Sequence, residues 1–102
     1  MQENEDQNLL VNDEPYLLKL FVTGASPNSI RAISNIKNIC ESKLEGRYEL
    51  EIIDVYQQPL MAESEQIIAL PLLIKKMPLP ERRFIGDLSD TEKVLKGLDI
   101  TG

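Results

Sequence analysis

The sequence has no histidine, no tryptophan and one cysteine, and each scarcity removes a class of chemistry. Without His there is no side chain that ordinarily acts as a general base near neutrality, and the commonest transition-metal ligand is missing. A single thiol, Cys40, has no partner for an internal disulfide or a dithiol redox pair. Aromatic residues are 5% of the chain, so a core must be assembled mainly from Ile, Leu and Val. No apolar run approaches the roughly 18 residues of a membrane-spanning helix, and no basic stretch followed by an apolar one opens the chain as a secretion signal would. Gly-rich phosphate loops, metal-ligand clusters and interleaved aromatic-basic surfaces are absent too, so nucleotide, metal and nucleic-acid binding have no support. These absences point to a cytoplasmic protein without cofactor, membrane or nucleic-acid partner.

What is present fits one globular domain: 102 residues, 42% hydrophobic and 27% charged. The net charge of −6 is unevenly placed. Glu3, Glu5, Asp6, Asp13 and Glu14 are five of the 17 acids, with no base beside them in residues 1–15. The remaining 12 acids face 11 bases, so residues 16–102 are close to neutral and lack a global field for capturing polyanions. Residues 1–15 read as a disordered acidic extension or a partner-contacting arm, and residues 16–102 as the folded domain.

Tyr16–Thr23 is nearly continuous in apolar and β-prone residues, which predicts a strand buried on both faces. Gly24-Ala25-Ser26-Pro27-Asn28 breaks it, and Ser26 before Pro27 is a good helix start. From Ser29 to about Leu44, Ile30, Ile33, Ile36 or Ile39, Cys40 and Leu44 recur at helical spacing, and Gly46 supplies a stop. Tyr48, Leu50 and Ile52 alternate with Glu49 and Glu51 ahead of Ile53 and Val55, a second strand. Strand, helix and strand make a βαβ unit with parallel strands and a right-handed crossover. Pro59 to about Ile68 predicts a short helix with Leu60, Met61, Ile67 and Ile68 facing inward. Leu70–Ile74 predicts a brief strand, Met77-Pro78-Leu79-Pro80 a turn, and Arg82–Ile85 a short edge strand. Ser89-Asp90-Thr91-Glu92 fits a capping box for a last helix burying Val94, Leu95 and Leu98. The order is βαβαββα, an α/β thioredoxin-like fold.

Several stretches carry a specific resemblance. Leu18-Lys19-Leu20-Phe21-Val22-Thr23-Gly24, Ser26-Pro27-Asn28-Ser29-Ile30-Arg31-Ala32, Ile52-Ile53-Asp54-Val55 and Ala69-Leu70-Pro71-Leu72-Leu73 are similar to the KaiB family of circadian clock proteins. So are Arg82–Asp90 and Glu92–Asp99, and together they cover about Tyr16 to Ile100. The chain departs from that family in ending at Gly102 without the usual acidic C-terminal tail. Leu79 interrupts a proline run, and Glu49 and Glu51 stand where clock members tend to carry a neutral residue and a lysine. The resemblance implies that Pro71 is cis and that a second, tetramer-forming fold is open to the C-terminal half. Pro78, Pro80, Gly97 and Asp99 are the other residues tied to that choice. Gly97 costs a helix about 1 kcal/mol against Ala, enough to tip balanced folds.

Chemistry at the first turn follows from residue type. Where a thioredoxin keeps Cys-x-x-Cys activated at a helix N-terminus, this chain has Ala25-Ser26-Pro27-Asn28, so disulfide exchange lacks its thiolate. Ser26 and Ser29 have no base to activate them and read as caps. Lys75, Lys76, Arg82 and Arg83 surround the proline turn, either as a solvated edge that resists aggregation or as a landing site for an acidic partner. The resemblance implies a non-enzymatic regulatory adaptor for a KaiC-like hexameric ATPase and autokinase, with Arg31, Asp54, Lys75, Arg82 and Arg83 in contact. It also implies a KaiA-like protein or a competing sensor kinase as further partners, and a homo-oligomer, dimer or tetramer. The rival readings are a redox-inactive thioredoxin-like accessory or chaperone in stress response, and self-assembly through sheet edges.

Overall fold

The computed structural model describes residues 15–100. The acidic extension expected over residues 1–15 lies, Pro15 excepted, outside them. The elements are β1 (Tyr16–Val22), α1 (Pro27–Lys43), β2 (Tyr48–Asp54), α2 (Pro59–Ser64), β3 (Leu72–Met77), β4 (Arg82–Ile85) and α3 (Thr91–Gly97). The βαβαββα order is the one predicted, and the fold is α/β and thioredoxin-like. The strands form one mixed sheet in the order β2-β1-β3-β4. β1 runs parallel to β2 and antiparallel to β3, and β4 is antiparallel to β3.

The central strand β1 is buried along one face and, at Phe21, on the other, where Leu17 and Lys19 stay half-buried. Leu18, Leu20 and Val22 face α1 and α3 in the larger core, with Ala32, Ile36, Cys40, Leu73, Val94 and Leu98. Phe21 points the other way, into a smaller cluster with Ile53, Leu72 and Ile74 against which Met61 and Ile67 pack. Fully burying each Leu or Phe contributes on the order of 2 kcal/mol. These two layers fix where β1 sits.

Helix α1 starts as its sequence demands. The Ser26 side chain accepts from Ser29 N, and Pro27 occupies the first turn, where a missing N–H costs nothing. Its buried stripe is Ser29, Ala32, Ile36, Ile39 and Cys40, whereas Ile30, expected inside, is exposed. Ser29 Oγ turns inward to accept from Thr23 N at 3.0 Å, which rotates Ile30 out.

The second half departs further. Helix α2 stops at Ser64, and Leu60 and Ile68, expected inward, are 77% and 92% exposed. Met61 and Ile67 alone of that set reach the sheet. β3 begins at Leu72, after the cis Leu70–Pro71 bond that the resemblance implied; Met77–Pro78 and Leu79–Pro80 are cis as well. Asp90 caps α3 by accepting from Lys93 N at 3.2 Å, so the cap lies one residue beyond the predicted Ser89. Aspartate competes successfully there because its carboxylate suits a helix N-terminus.

The end of α3 is fastened to the sheet by polar groups. Tyr16 Oη donates to the Leu98 carbonyl at 2.9 Å, and burial raises the Tyr16 hydroxyl above its ordinary pKa. Lys75 is fully buried, with its Nζ 3.4 Å from Asp99 Oδ2. Asp99 itself is 57% exposed and holds a left-handed backbone at φ +60. Gly97 lies against Phe84: a Cβ there would overlap the ring at Cε2 and stand 2.7 Å from Cζ.

Two outcomes follow. Gly97→Ala gains helix propensity of about 1 kcal/mol but overpacks Phe84, and the net result is a loss of about 1–2 kcal/mol, read as a fall in the chemical-denaturation midpoint. Adding Phe84→Leu recovers part of it; a Gly97→Ala chain more stable than the parent contradicts this packing. Asp99→Asn keeps the left-handed backbone but leaves the Lys75 ammonium buried without its carboxylate. A loss of about 1–2 kcal/mol is expected, discounted for the exposure of Asp99, and Lys75→Met in that background should restore stability.

Candidate functional site

The turn between β1 and α1 holds three hydroxyls in mutual contact. Ser26 Oγ donates to Ser29 Oγ at 2.8 Å, and Thr23 Oγ1 lies 3.2 Å from Ser26 Oγ. Ser29 N also reaches Ser26 Oγ at 3.2 Å. Every one of these contacts satisfies backbone or neighbouring hydroxyl, and among the described residues no base adjoins them. The arrangement closes a turn and caps a helix; it activates no nucleophile.

Cys40 is wholly enclosed in the α1 face of the core. Burial, with the Glu41 carboxylate adding to it, pushes its thiol up to about 12. A thiol so placed carries almost no thiolate at neutral pH. No cluster of three or more His, Cys, Asp or Glu among the described residues could hold a metal ion, and no helix of these residues is long and apolar enough to cross a membrane.

The residues singled out for partner contact fall into two places. Arg31 projects from the start of α1, with its Nε 3.2 Å from Asp87 Oδ2 and a further bond to Asn28. Asn35 Nδ2 donates to the Asp87 carbonyl at 2.8 Å, tying α1 to the loop before α3. Hydrogen bonds from Ser89, and then from Arg31, hold the Asp87 carboxyl below its ordinary range. Asp54 ends β2, where its Oδ1 accepts from Tyr56 N at 2.9 Å. Gly24 passes close by, and a Cβ there would sit 3.9 Å from Asp54 Oδ2. Arg31 and Asp54 thus serve neighbouring turns at the end of the sheet that carries the β1–α1 turn.

Arg82 and Arg83 lie on β4 at the other side of the sheet, both exposed, while Lys75 is enclosed. This corrects the surface cluster expected around the proline turn: in an antiparallel hairpin Lys75 faces α3 and Lys76 the opposite face. Pro78 and Pro80 form the hairpin tip between them. Lys76 and Arg83 are held by two carboxylates. Lys76 Nζ is 2.9 Å from Glu65 Oε2 and 3.5 Å from Glu81 Oε1. Arg83 Nη2 donates to the Glu65 carbonyl at 2.8 Å and lies 3.4 Å from its Oε1. The hydrogen bond that Lys76 donates to Glu65 is the main cause that raises Lys76 above the ordinary lysine range. Sequence reasoning missed Glu65, which is 18 positions from Arg83 on a different element; no local spacing announces such a pair. Arg82 is exposed and, among the described residues, has no carboxylate holding it.

Two open grooves of about 370 Å³ each adjoin these groups. One lies along Leu17, Lys19, Glu49, Glu51 and Lys76 on the sheet face that α2 leaves uncovered, and the other beside β4 and the start of α3. Both are shallow and mixed in charge. Both lie on open surface beside the exposed charges of β2 and β4.

Comparison with known proteins agrees with this picture. The family model described as the KaiB domain matches residues 19–100. The circadian clock oscillator protein KaiB of Synechococcus elongatus is 55% identical over 85 residues, 83% of each chain. That of Prochlorococcus marinus subsp. pastoris is 52% identical over 91 residues, 89% of this chain and 85% of its own. Among solved structures, the N-terminal domain of Synechococcus elongatus SasA has a TM-score of 0.68 at 27% identity, over 97% of this chain and 94% of that one. Chloroplastic thioredoxin z has a TM-score of 0.68 at 17% identity, covering 88% and 83%, a likeness of fold. A chain with this match along nearly all of its described length, on a thioredoxin-like sheet with hydroxyls at the first turn, belongs to the KaiB family.

Proposed function

We propose that this chain is a cytoplasmic, non-catalytic regulator of the circadian-clock type. It docks on a KaiC-like hexameric ATPase and autokinase and modulates its phosphorylation in timing or a related stress response. The observation that carries the reading is the pairing of two facts. The chain is 55% identical to a clock oscillator protein, and its first turn holds only hydroxyls that satisfy one another. A thioredoxin-like scaffold without thiols at that turn acts through its surface.

Residues 16–102 form the binding domain and residues 1–15 an acidic extension to it. Arg31, Asp54, Arg82 and Arg83 make the partner contacts, while Lys75 acts from inside by holding Asp99. Gly97, Asp99 and the prolines Pro71, Pro78 and Pro80 set which fold the C-terminal half adopts. A competing sensor kinase and a KaiA-like protein are further partners, and the likeness to the SasA N-terminal domain supports partners among clock proteins. Copies of the chain associate as a dimer or tetramer in the alternative fold.

Capture from the source lysate tests this reading. The parent chain should retain an ATPase of about 50–60 kDa, the size of two large domains, and Arg82→Glu should weaken retention about tenfold, since a rim cation that meets an acid becomes repulsive. Retention of no ATPase overturns the proposal. The rival reading, in the form of a redox accessory to stress responses, needs a reachable thiol. Cys40 should react with a disulfide reagent at pH 7 at least about a hundredfold more slowly than a free thiol and reach the ordinary rate only on unfolding. Prompt labelling of the folded chain favours the rival.

A further inference from the structure

The two faces of the sheet are covered unequally. On the face away from α1 and α3, Phe21 is enclosed among Ile53, Leu72 and Ile74, with Met61 and Ile67 packed against them. Toward the start of β1 the same face stays open. The groove there has Leu17 and Lys19 of β1 along its floor, Glu49 and Glu51 of β2 on one side and Lys76 of β3 on the other. Leu17 is half-buried although Leu18 and Leu20 of the same strand are enclosed. Lys19 is half-buried too and, among the described residues, has no carboxylate holding it. An uncovered leucine beside an unpaired ammonium suits a segment that carries both apolar and acidic residues.

This chain has such a segment next to that groove. β1 begins at Tyr16, one residue before Leu17, so residues 1–14 join the domain at the end of the groove itself. Their apolar residues are Met1 and the triplet Leu9-Leu10-Val11, and their charges are Glu3, Glu5, Asp6, Asp13 and Glu14, with no base. Between the triplet and β1 stand Asn12-Asp13-Glu14-Pro15. Asn, Asp and Pro are residues that turns select, and a following proline disfavours helix at Glu14. An apolar triplet, a set of turn formers and then a strand read as a reversal of the chain.

The reach agrees. The five steps from Val11 to Tyr16 span at most about 17 Å, and a layer packed on a sheet stands about 10 Å above it. The link is long enough to bring the triplet over Leu17 and short enough to keep it near β1. The other groove, beside β4 and the start of α3, is two strands away and is lined by Asp87 and Asp90, which repel an acidic segment. In the groove at β1, Glu49 and Glu51 line the β2 side alone, so the segment is steered toward Lys19 and β3.

We infer that residues 1–14 fold back over the uncovered face of β1, where Leu9, Leu10 and Val11 fill the groove against Leu17 and the carboxylates flanking the triplet come within reach of Lys19. The cover is intramolecular, and it is independent of the proposed clock function.

Methyl nuclear Overhauser contacts in the full chain test it. Contacts are expected from the Leu9, Leu10 and Val11 methyls to Leu17 and to the Lys19 and Lys76 methylenes. Contacts to Phe84 or Ile85 in their place, or none at all, overturn the inference. In a mixture of isotope-labelled and unlabelled chains, contacts that cross between copies mean that a second copy fills the groove, and they overturn it as well. A second measurement follows acylation of individual lysines by mass spectrometry. The Leu9→Ser/Leu10→Ser/Val11→Ser chain leaves residues 15–100 unaltered. Its Lys19 should react about tenfold faster than that of the parent, as for loss of a cover open about a tenth of the time. Lys93 and Lys96, exposed on α3, should react alike in both chains. Equal rates at Lys19, or a rise at all three lysines, overturn the inference.

Discussion

Burial of β1 along one whole face and at Phe21 on the other is the constraint from which the rest of this structure follows. A strand with Leu18, Leu20 and Val22 on one side and Phe21 on the other must be covered twice. The chain covers it unequally: α1 and α3 close one face, and the six-residue α2 closes only part of the other. The parallel neighbour β2 and the antiparallel neighbour β3 then occupy both hydrogen-bonding sides of β1. This leaves β2 and β4 as the outer strands. The turn at Ser26, the hairpin at Pro78 and Pro80 and the two edges all lie where that burial ends.

The same constraint explains why the chemistry is absent although the scaffold of a redox fold is present. The turn after β1 is positioned by burial and helix capping, and both can be met by hydroxyls as well as by thiols. Thr23, Ser26 and Ser29 satisfy the turn completely. The one thiol is used in packing: Cys40 sits where the helix meets the core, and its raised pKa is a consequence of that burial. Fold and reactivity are therefore separable, as expected when function resides in a site carried by a scaffold.

The first half of the fold was legible in the sequence because its signals are long and periodic. A seven-residue apolar strand, a seventeen-residue amphipathic helix with a Ser-Pro start and an alternating strand leave little freedom. The second half was legible in order but not in detail. A six-residue helix is too short for period to choose a face, which is why Leu60 and Ile68 were placed inside and lie outside. Lys75 shows the same limit: four bases near a turn look like one cluster, yet alternation along β3 sends Lys75 into the core and Lys76 to Glu65. Of the candidate contacts, Arg31, Asp54, Arg82 and Arg83 lie near the surface, while the carboxylates that hold Lys76 and Arg83 come from distant elements that only the tertiary structure brings together.

Charge placement sets what kind of recognition this surface can support. With 12 acids and 11 bases from residue 16 onward, the folded part has little long-range field to steer a partner. Recognition must then rest on short-range contacts at shaped places. Arg83 is already engaged by Glu65, and Arg31 by Asp87, so a partner that uses either must offer a better carboxylate than the one in place. Among the described residues Arg82 has no such competitor, so it is the cation of the hairpin that a partner meets without displacing a carboxylate.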